Sequence, residues 1–310
     1  MTLAAFLALA AAICAVGFQP AFTRTGNAGQ NHRFSRLPLP SLLFAIIALL
    51  LAIPAGLISF AAALLLSLLA ALALWLRITT TISIIRSCGW LLLGLVALAG
   101  ALHWLPGVQN PLLVDARQLT PDAIPYTLYA NFDKGWAGYC LLLAIWPSQR
   151  LLKPGESSWA ATYWRGFWPV WPLTVLLTLG LAISLGLLKL APKWPDFALQ
   201  FIFCNLLLTC VAEEAFFRGL LQRPLLSRLQ QRGLSPVTAA WTAIGAVSLL
   251  FGLAHLAGGL AYAWVATFAS IGYGWAYQRS GRIEVAIVTH FALNLLHFSA
   301  LTYPMLQPAP

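Results

Sequence analysis

Long apolar runs, separated by short polar stretches, dominate the pattern of the chain. The runs extend over about 18–22 residues, the length at which an α-helix crosses a hydrocarbon core of roughly 30 Å. They are continuous and do not alternate with period two, which disfavours a transmembrane β-barrel. The pattern predicts an all-α, polytopic transmembrane helix bundle of about 8–10 spans.

Breaks in the apolar pattern indicate where several spans begin and end. Residues 39–76 are too long for one crossing, and Pro54 with Gly56 predicts a turn near their middle. Residues 136–147 form a shorter apolar run, which predicts a tilted or incomplete span. Further spans are expected at about residues 167–188, 197–220, 236–254, 258–277 and 283–302.

The distribution of charge orients the chain. Charged residues make up only 8% of the sequence, yet the formal net charge is +10. Most of the basic residues lie in short loops, at residues 19–38, 77–87, 148–165, 223–235 and 279–282. This distribution is typical of the positive-inside rule and assigns these loops to the cytoplasm, so it indicates no nucleic-acid partner. We expect an integral protein of the lipid bilayer, in the inner (plasma) membrane of a bacterium.

One longer polar segment has the opposite charge balance. From Pro106 to Gly135, acidic residues outnumber basic ones. Since the basic loops are assigned to the cytoplasm, this segment is expected to be an external loop.

The first candidate chemistry is a group of ionisable side chains inside an apolar helix. Glu213, Glu214 and Arg218 lie in the run 197–220, although an ionisable group at bilayer depth costs about 2.5–3.5 kcal/mol. Glu214 and Arg218 are four residues apart, and we expect them to form an ion pair on one helical face. Glu213 projects about 100° away from Glu214. It has no obvious local partner, and it is a candidate general base.

Two later spans carry polar side chains at the same four-residue spacing. Phe251 and His255 share one helical face, and His290 and Asn294 share another. Phe251 is interpreted as a packing residue that shapes the site. His103, which lies outside these motifs, is interpreted as a packing or hydrogen-bonding residue.

Taken in order along the chain, these motifs resemble those of a known family. Glu-Glu-x-x-x-Arg, Phe-x-x-x-His and His-x-x-x-Asn are similar to the motifs of the CPBP family, which includes the type II CAAX prenyl proteases and the bacteriocin-processing enzymes also called the Abi family. The resemblance covers roughly residues 165–302. It implies a CPBP-like protease domain at residues 151–310. Residues 1–150 would form a membrane-spanning region without catalytic motifs.

The resemblance implies an intramembrane endopeptidase that hydrolyses a peptide bond of a membrane-associated peptide or protein. Glu213 and His255 would activate the attacking water. His290 and Asn294 would donate hydrogen bonds to the oxyanion that develops in the transition state.

The catalytic type is open at this point between glutamate and metal catalysis. One Glu and two His are suitable zinc ligands, so Glu213, His255 and His290 would form the metal site if Zn²⁺ were used. The sequence has no His-Glu-x-x-His motif, in which the base is separate from the histidine ligands. Catalysis by glutamate, with no metal or other cofactor, is favoured. Glu214 and Arg218 would then hold their helix in place.

Two other classes of function are kept as alternatives. Paired intramembrane acids with an arginine also occur in proton-coupled transporters, but no inverted repeat is visible here. A catalytically idle relative would act as a membrane scaffold or immunity protein. The complete set of motifs argues against this.

The two histidines place a condition on the path of the chain. His290 lies about 12 Å along its helix from the loop at residues 279–282, whereas His255 would lie more than about 30 Å from it if its helix continued straight. They could not then act on one water. We therefore predict a broken or strongly tilted segment after His255, with Gly258 and Gly259 as the break.

Overall fold

The computed structural model describes residues 1–16, 37–79, 83–146 and 159–307, and in these ranges the protein is mostly helical. The predicted all-α fold is confirmed. The basic stretches 19–38 and 148–165 lie largely outside the described residues. The α-helices are α1 Thr2–Ala15, α2 Leu39–Ala52, α3 Phe60–Ile78, α4 Ile84–Ala101, α5 Phe132–Ile145, α6 Trp159–Phe167, α7 Val170–Ser184, α8 Ala198–Phe203, α9 Val211–Glu214, α10 Arg223–Gln231, α11 Pro236–Ala254, α12 Leu260–Ser280 and α13 Ile283–Ala300.

Six helical stretches of the described residues are long and apolar enough to cross a membrane, so the protein is an integral membrane protein. They are Phe60–Ile78, Ile84–Ala101, Tyr163–Ser184, Ala198–Gln231, Pro236–Ala254 and Ile283–Ala300. The helices α1 and α2 have 14 residues each, about 21 Å, which is shorter than the hydrocarbon core. The helix α12 has 21 residues but is less apolar. These three helices account for most of the difference from the 8–10 spans that the sequence predicts.

The turn predicted near the middle of the run 39–76 is confirmed. The helix α2 ends at Ala52 and α3 begins at Phe60. Gly56 has a φ of +72°, a conformation that glycine adopts without strain. Ser59 caps α3, because its hydroxyl accepts a hydrogen bond from the backbone N–H of Ala62 at 3.2 Å.

The segment 106–135 is not the simple external loop that its composition predicts. It contains two antiparallel strands, β1 Leu112–Arg117 and β2 Tyr126–Tyr129. The helix α5 then begins at Phe132, and Asp133 in its first turn is 1% exposed. The prediction was wrong for the end of this segment, because charge counts cannot distinguish a solvated carboxylate from one buried by hydrogen bonds.

The described residues group into two compact units, and the predicted domain division at residue 150 stays a prediction. Unit 1 contains Met1–Pro111, Asn131–Arg150 and Leu207–Phe216. Unit 2 contains Leu112–Ala130, Leu151–Leu206 and Phe217–Pro310. The short α9, which carries both glutamates of the first motif, therefore groups with the N-terminal helices.

In unit 1, α5 is the central helix. It packs against α1, α3, α4 and α9, and every residue of α5 except Lys134 is buried. Two glycines of α5 allow a close approach to the segment 207–216: a Cβ on Gly135 would lie 2.6 Å from Leu208 Cδ2, and one on Gly138 would lie 2.9 Å from Ala212 Cα. Small residues at such contacts are typical of membrane helix packing.

In unit 2, α12 is the central helix. It packs against α6, α7, α11 and α13. The predicted break before α12 is confirmed: α11 ends at Ala254, a single 3₁₀ turn covers Leu256–Gly258, and α12 begins at Leu260. Gly259 has φ +94° and ψ 162°, a region that is almost restricted to glycine. The break lets the chain change direction directly after His255.

Candidate functional site

The helix that carries the first motif is irregular on both sides of the glutamates. The α-helical turn α9 lies between two π-helical segments, Cys204–Cys210 and Ala215–Gln222. Such segments are rare and are frequent at functional sites. The predicted common face of Glu214 and Arg218 assumed α-helical turns throughout, whereas Arg218 lies in the second π-helical segment.

Glu213 has a charged partner that the sequence did not predict. In unit 1, Lys134 Nζ donates a hydrogen bond to Glu213 Oε1 at 2.7 Å. The two side chains are 14% and 17% exposed. Charge-assisted hydrogen bonds of this length are among the strong ones in proteins. Because the residues are 79 positions apart, no local spacing rule could have paired them.

The turn that carries Lys134 is held by a buried polar network, also in unit 1. Asp133 Oδ1 accepts hydrogen bonds from the backbone N–H of Lys134 at 2.8 Å and from Asn110 Nδ2 at 3.0 Å. His103 Nδ1 lies 3.1 Å from both carboxylate oxygens of Asp133. Asn110 Oδ1 in turn accepts from the backbone N–H of Phe132 at 2.8 Å. The hydrogen-bonding role predicted for His103 is confirmed.

Glu214 and Arg218 are both fully buried, with 0% exposure. In unit 2, Arg218 donates to Ser270 Oγ at 2.6 Å and to Gln222 Oε1 at 3.1 Å, and Gln222 donates to the carbonyl of Gly274 at 3.1 Å. A Cβ on Gly274 would lie 2.8 Å from Gln222 Oε1. Arg218 thus joins its own segment to α12, which fits a structural role. Its ion pair with Glu214 stays a prediction.

The tautomer of His255 follows from its partner. His255 Nδ1 lies 2.7 Å from the backbone carbonyl of Phe251. A carbonyl only accepts, so Nδ1 carries a proton, and the neutral form of this ring has its lone pair on Nε2. The imidazole also stacks on the Phe251 ring, with centroids 4.5 Å apart. His255 therefore presents Nε2 as an acceptor, a base or a metal ligand.

His290 is held by aromatic rings. It is 4% exposed and stacks on Tyr273, with centroids 4.3 Å apart and planes 13° apart. The Phe251 ring contacts His290 edge to face at 5.9 Å. Phe251, itself 3% exposed, thus touches both histidines, so the chain path after His255 brings them around one ring. These contacts fit a packing role for Phe251, which stays a prediction.

Asn294 lies one helical turn beyond His290 on α13. Its Nδ2 donates a hydrogen bond to Asn205 Oδ1 at 3.2 Å. An amide N–H is a suitable donor to a developing negative charge.

A metal site needs several suitable side chains close together. Within neither unit do three or more His, Cys, Asp or Glu side chains of the described ranges form such a group. The tautomer of His255 suits a zinc ligand as well as a base. The choice between the two catalytic types stays a prediction.

Comparison with known proteins bears directly on these motifs. Residues 195–296 match the family model described as type II CAAX prenyl endopeptidase Rce1-like. This confirms the resemblance. No curated protein and no solved structure matched the chain. The matched residues include all three motifs, whereas Lys134 and its network precede them. The match supports a CAAX-type endopeptidase of the membrane as the general class.

Sequence reasoning missed three side chains that contact the candidate residues: Lys134, Tyr273 and Asn205. Lys134 is a charged residue directly before an apolar run that begins at Gly135, and this was a usable signal. Tyr273 and Asn205 gave none, because a tyrosine or an asparagine in a membrane helix is compatible with many structural roles.

Proposed function

We propose that the protein is an intramembrane endopeptidase that hydrolyses a peptide bond in a membrane-associated peptide or protein. The observation that carries the proposal is the hydrogen bond from His255 Nδ1 to the Phe251 carbonyl, because it leaves Nε2 of a neutral imidazole available as a base. The family match at residues 195–296 supports the reaction class. It supports neither a transporter nor an idle scaffold.

In the proposed reaction, Glu213 and His255 activate a water for attack on the scissile carbonyl carbon, and one of these two bases binds the proton that the water gives up. The carbonyl oxygen becomes an oxyanion, to which His290 and Asn294 donate hydrogen bonds. Collapse of the tetrahedral intermediate breaks the C–N bond, and the proton taken from water passes to the leaving amine. The hydrolysis needs no oxidant or second substrate.

Zinc is the second form of this proposal. Glu213, His255 and His290 would hold the ion, which would polarise the water when bound. Metal analysis of the purified protein and assays with and without a chelator separate the two forms. We expect full activity after chelation. Activity that is lost with a chelator and restored by Zn²⁺ would establish the metal form.

Two synthetic probes test the reaction and the substrate class. One is a peptide with a farnesylated C-terminal Cys-a-a-X sequence, and the other is the same peptide without the lipid. The protein in detergent or proteoliposomes is expected to release the C-terminal tripeptide from the farnesylated probe, as measured by mass spectrometry. Cleavage of both probes at one rate would show that the lipid is not recognised.

Substitutions then test the assignment of residues. Glu213→Gln and His255→Ala are expected to abolish cleavage, since each removes a general base worth about 10²–10⁴-fold in rate. His290→Ala is expected to do the same. Asn294→Ala should lower the rate by about 10²–10³-fold and leave a measurable remainder. Near-normal cleavage by Glu213→Gln would contradict the assigned base.

Glu284→Gln is the matched control. It makes the same carboxylate-to-amide change in another membrane helix, where Glu284 pairs with Arg282 at 2.8 Å. Cleavage by this variant should equal that of the wild type.

A further inference from the structure

The carboxylate of Glu213 is held by a residue of the N-terminal region. The Lys134 ammonium lies 2.7 Å from Glu213 Oε1, and both side chains are largely shielded from solvent. A carboxylate in apolar surroundings is costly unless it is paired and hydrogen-bonded. Lys134 supplies a charge and a donor at once, so it both compensates Glu213 and restricts the orientation of its carboxylate group.

The backbone of α5 is built for this approach. Gly135 directly follows Lys134 and Gly138 lies about one turn later, and neither can carry a Cβ without a clash. The atom nearest to a Cβ on Gly138 is the backbone Cα of Ala212, at 2.9 Å. Since Ala212 immediately precedes Glu213, this contact sets the distance between α5 and the glutamate.

The first turn of α5 is fixed from the other side. Asp133, which is 1% exposed, accepts the N–H of Lys134 together with a hydrogen bond from Asn110. Lys134 therefore extends from an anchored turn, so the position of its backbone relative to Glu213 is fixed. Two independent features, the glycine contact and the carboxylate network, bring the lysine to the same carboxylate.

We propose that Lys134 is a positioning residue of the protease, which orients and charge-compensates Glu213 for its reaction with water. This inference rests on the proposed function. It gives the N-terminal membrane region a part in catalysis, although that region carries none of the motifs and lies outside the family match.

Steady-state cleavage of the farnesylated peptide tests the proposal in the full-length protein. Lys134→Met keeps the length of the side chain and removes the charge. We expect kcat to fall by about 10–100-fold, the range found when the outer partner of a site residue is removed, with KM changed less than twofold. Lys134→Arg keeps the charge and is expected to recover part of the loss. If Lys134 had a purely structural role, kcat would fall by the same factor in both variants.

Lys189→Met is the matched control, because Lys189 also pairs with a carboxylate, that of Asp122. Unlike that of Lys134, the side chain of Lys189 is 58% exposed. Its kcat should equal that of the wild type. A kcat of Lys134→Met within twofold of the wild type would overturn the proposal.

A second measurement keeps the proposal falsifiable if the probe is not cleaved. Thermal unfolding of Lys134→Met, Glu213→Gln and the double variant forms a double-mutant cycle. The double variant should melt at a higher temperature than the sum of the single shifts predicts. Additive shifts would show that the pair does not interact, which overturns the role of Lys134. A coupled pair in a protein that cleaves neither probe would instead count against the proposed function.

Discussion

The candidate carboxylate of unit 1 and the candidate histidines of unit 2 are held by different kinds of neighbour. Glu213 is paired with an ammonium group 2.7 Å away. His255 and His290 are stacked on the rings of Phe251 and Tyr273, and His255 also donates to a backbone carbonyl. The surroundings differ because the charges differ. An ionised carboxylate needs a counter-charge in a membrane protein, whereas a neutral imidazole needs only its donor satisfied and its faces packed.

This difference indicates how each set of candidate residues is made rigid. Glu213 depends on a long-range contact, which is lost if α5 moves relative to the segment 207–216. The histidines depend on ring packing around Phe251, which is spread over three helices, α11, α12 and α13. We therefore expect charge substitutions to change the orientation of Glu213 most, and ring substitutions to change that of His255 and His290 most.

The largest effect on stability is expected at a buried cation of unit 2. Arg218→Ala should lower the free energy of unfolding by about 3–5 kcal/mol, because Ser270 and Gln222 lose a charged donor and the predicted partner Glu214 is left uncompensated. Thermal unfolding in detergent measures it. The shift should exceed that of Glu213→Gln; equal shifts would argue against a structural role of Arg218.

Arg117→Ala is the control for this variant. Arg117 donates to Asp196 at 2.6 Å, but the side chains are 50% and 72% exposed. Its removal should cost only about 0–1 kcal/mol, the usual value for a surface ion pair.

A glycine contact provides the next test, on the side of Glu213. Gly138→Ala places a methyl group against the backbone of Ala212, and such overpacking costs about 1–3 kcal/mol. We expect a lower unfolding temperature and a lower kcat, because α5 must move away from Glu213. Gly245→Ala, also within a membrane helix and with open space around its Cβ position, should be neutral or stabilising by up to about 1 kcal/mol. Equal effects of the two variants would mean that the close approach of α5 is unimportant.

A smaller effect is expected from the ring that supports His290. Tyr273→Leu removes the stacked ring, a contact worth about 0.5–1.5 kcal/mol beyond its buried area. If that contact orients His290 in the transition state, kcat should fall by up to about tenfold. Tyr273→Phe keeps the ring and should retain most of the activity. A loss in the Phe variant as large as that in the Leu variant would show that the hydroxyl, and not the stacking, is what matters.

The smallest effect is expected at a lysine outside the membrane spans. Partial burial lowers the pKa of Lys193 from 10.5 to about 8. Between about pH 8 and 10.5 the folded protein therefore binds fewer protons than the unfolded chain, so its stability should rise with pH across that window. The rise should be slight, because the side chain is partly exposed to solvent. If the shift is absent, the unfolding temperatures of the wild type and Lys193→Met should differ by the same amount at every pH in this range.

Much of the fold follows from the sequence because membrane helices obey simple rules of length and apolar character. The span predicted at 236–254 has the same bounds as α11, and the break at Gly258 and Gly259 lies where the helix geometry required it. The strands β1 and β2 were not foreseen, since they are short and lie in a segment that is polar overall. The start of α5 was missed for the same reason.

The sequence by itself determined the membrane class, the order of the motifs and the candidate residues Glu213, His255, His290 and Asn294. These depend on apolar run length and on spacing within one helix, and both are local properties of the chain. Only the tertiary structure decided that Lys134 pairs with Glu213, across 79 positions, and that Tyr273 stacks on His290. Such contacts depend on which helices pack together and how closely, and at Gly135 and Gly138 that distance is set by the absence of a side chain.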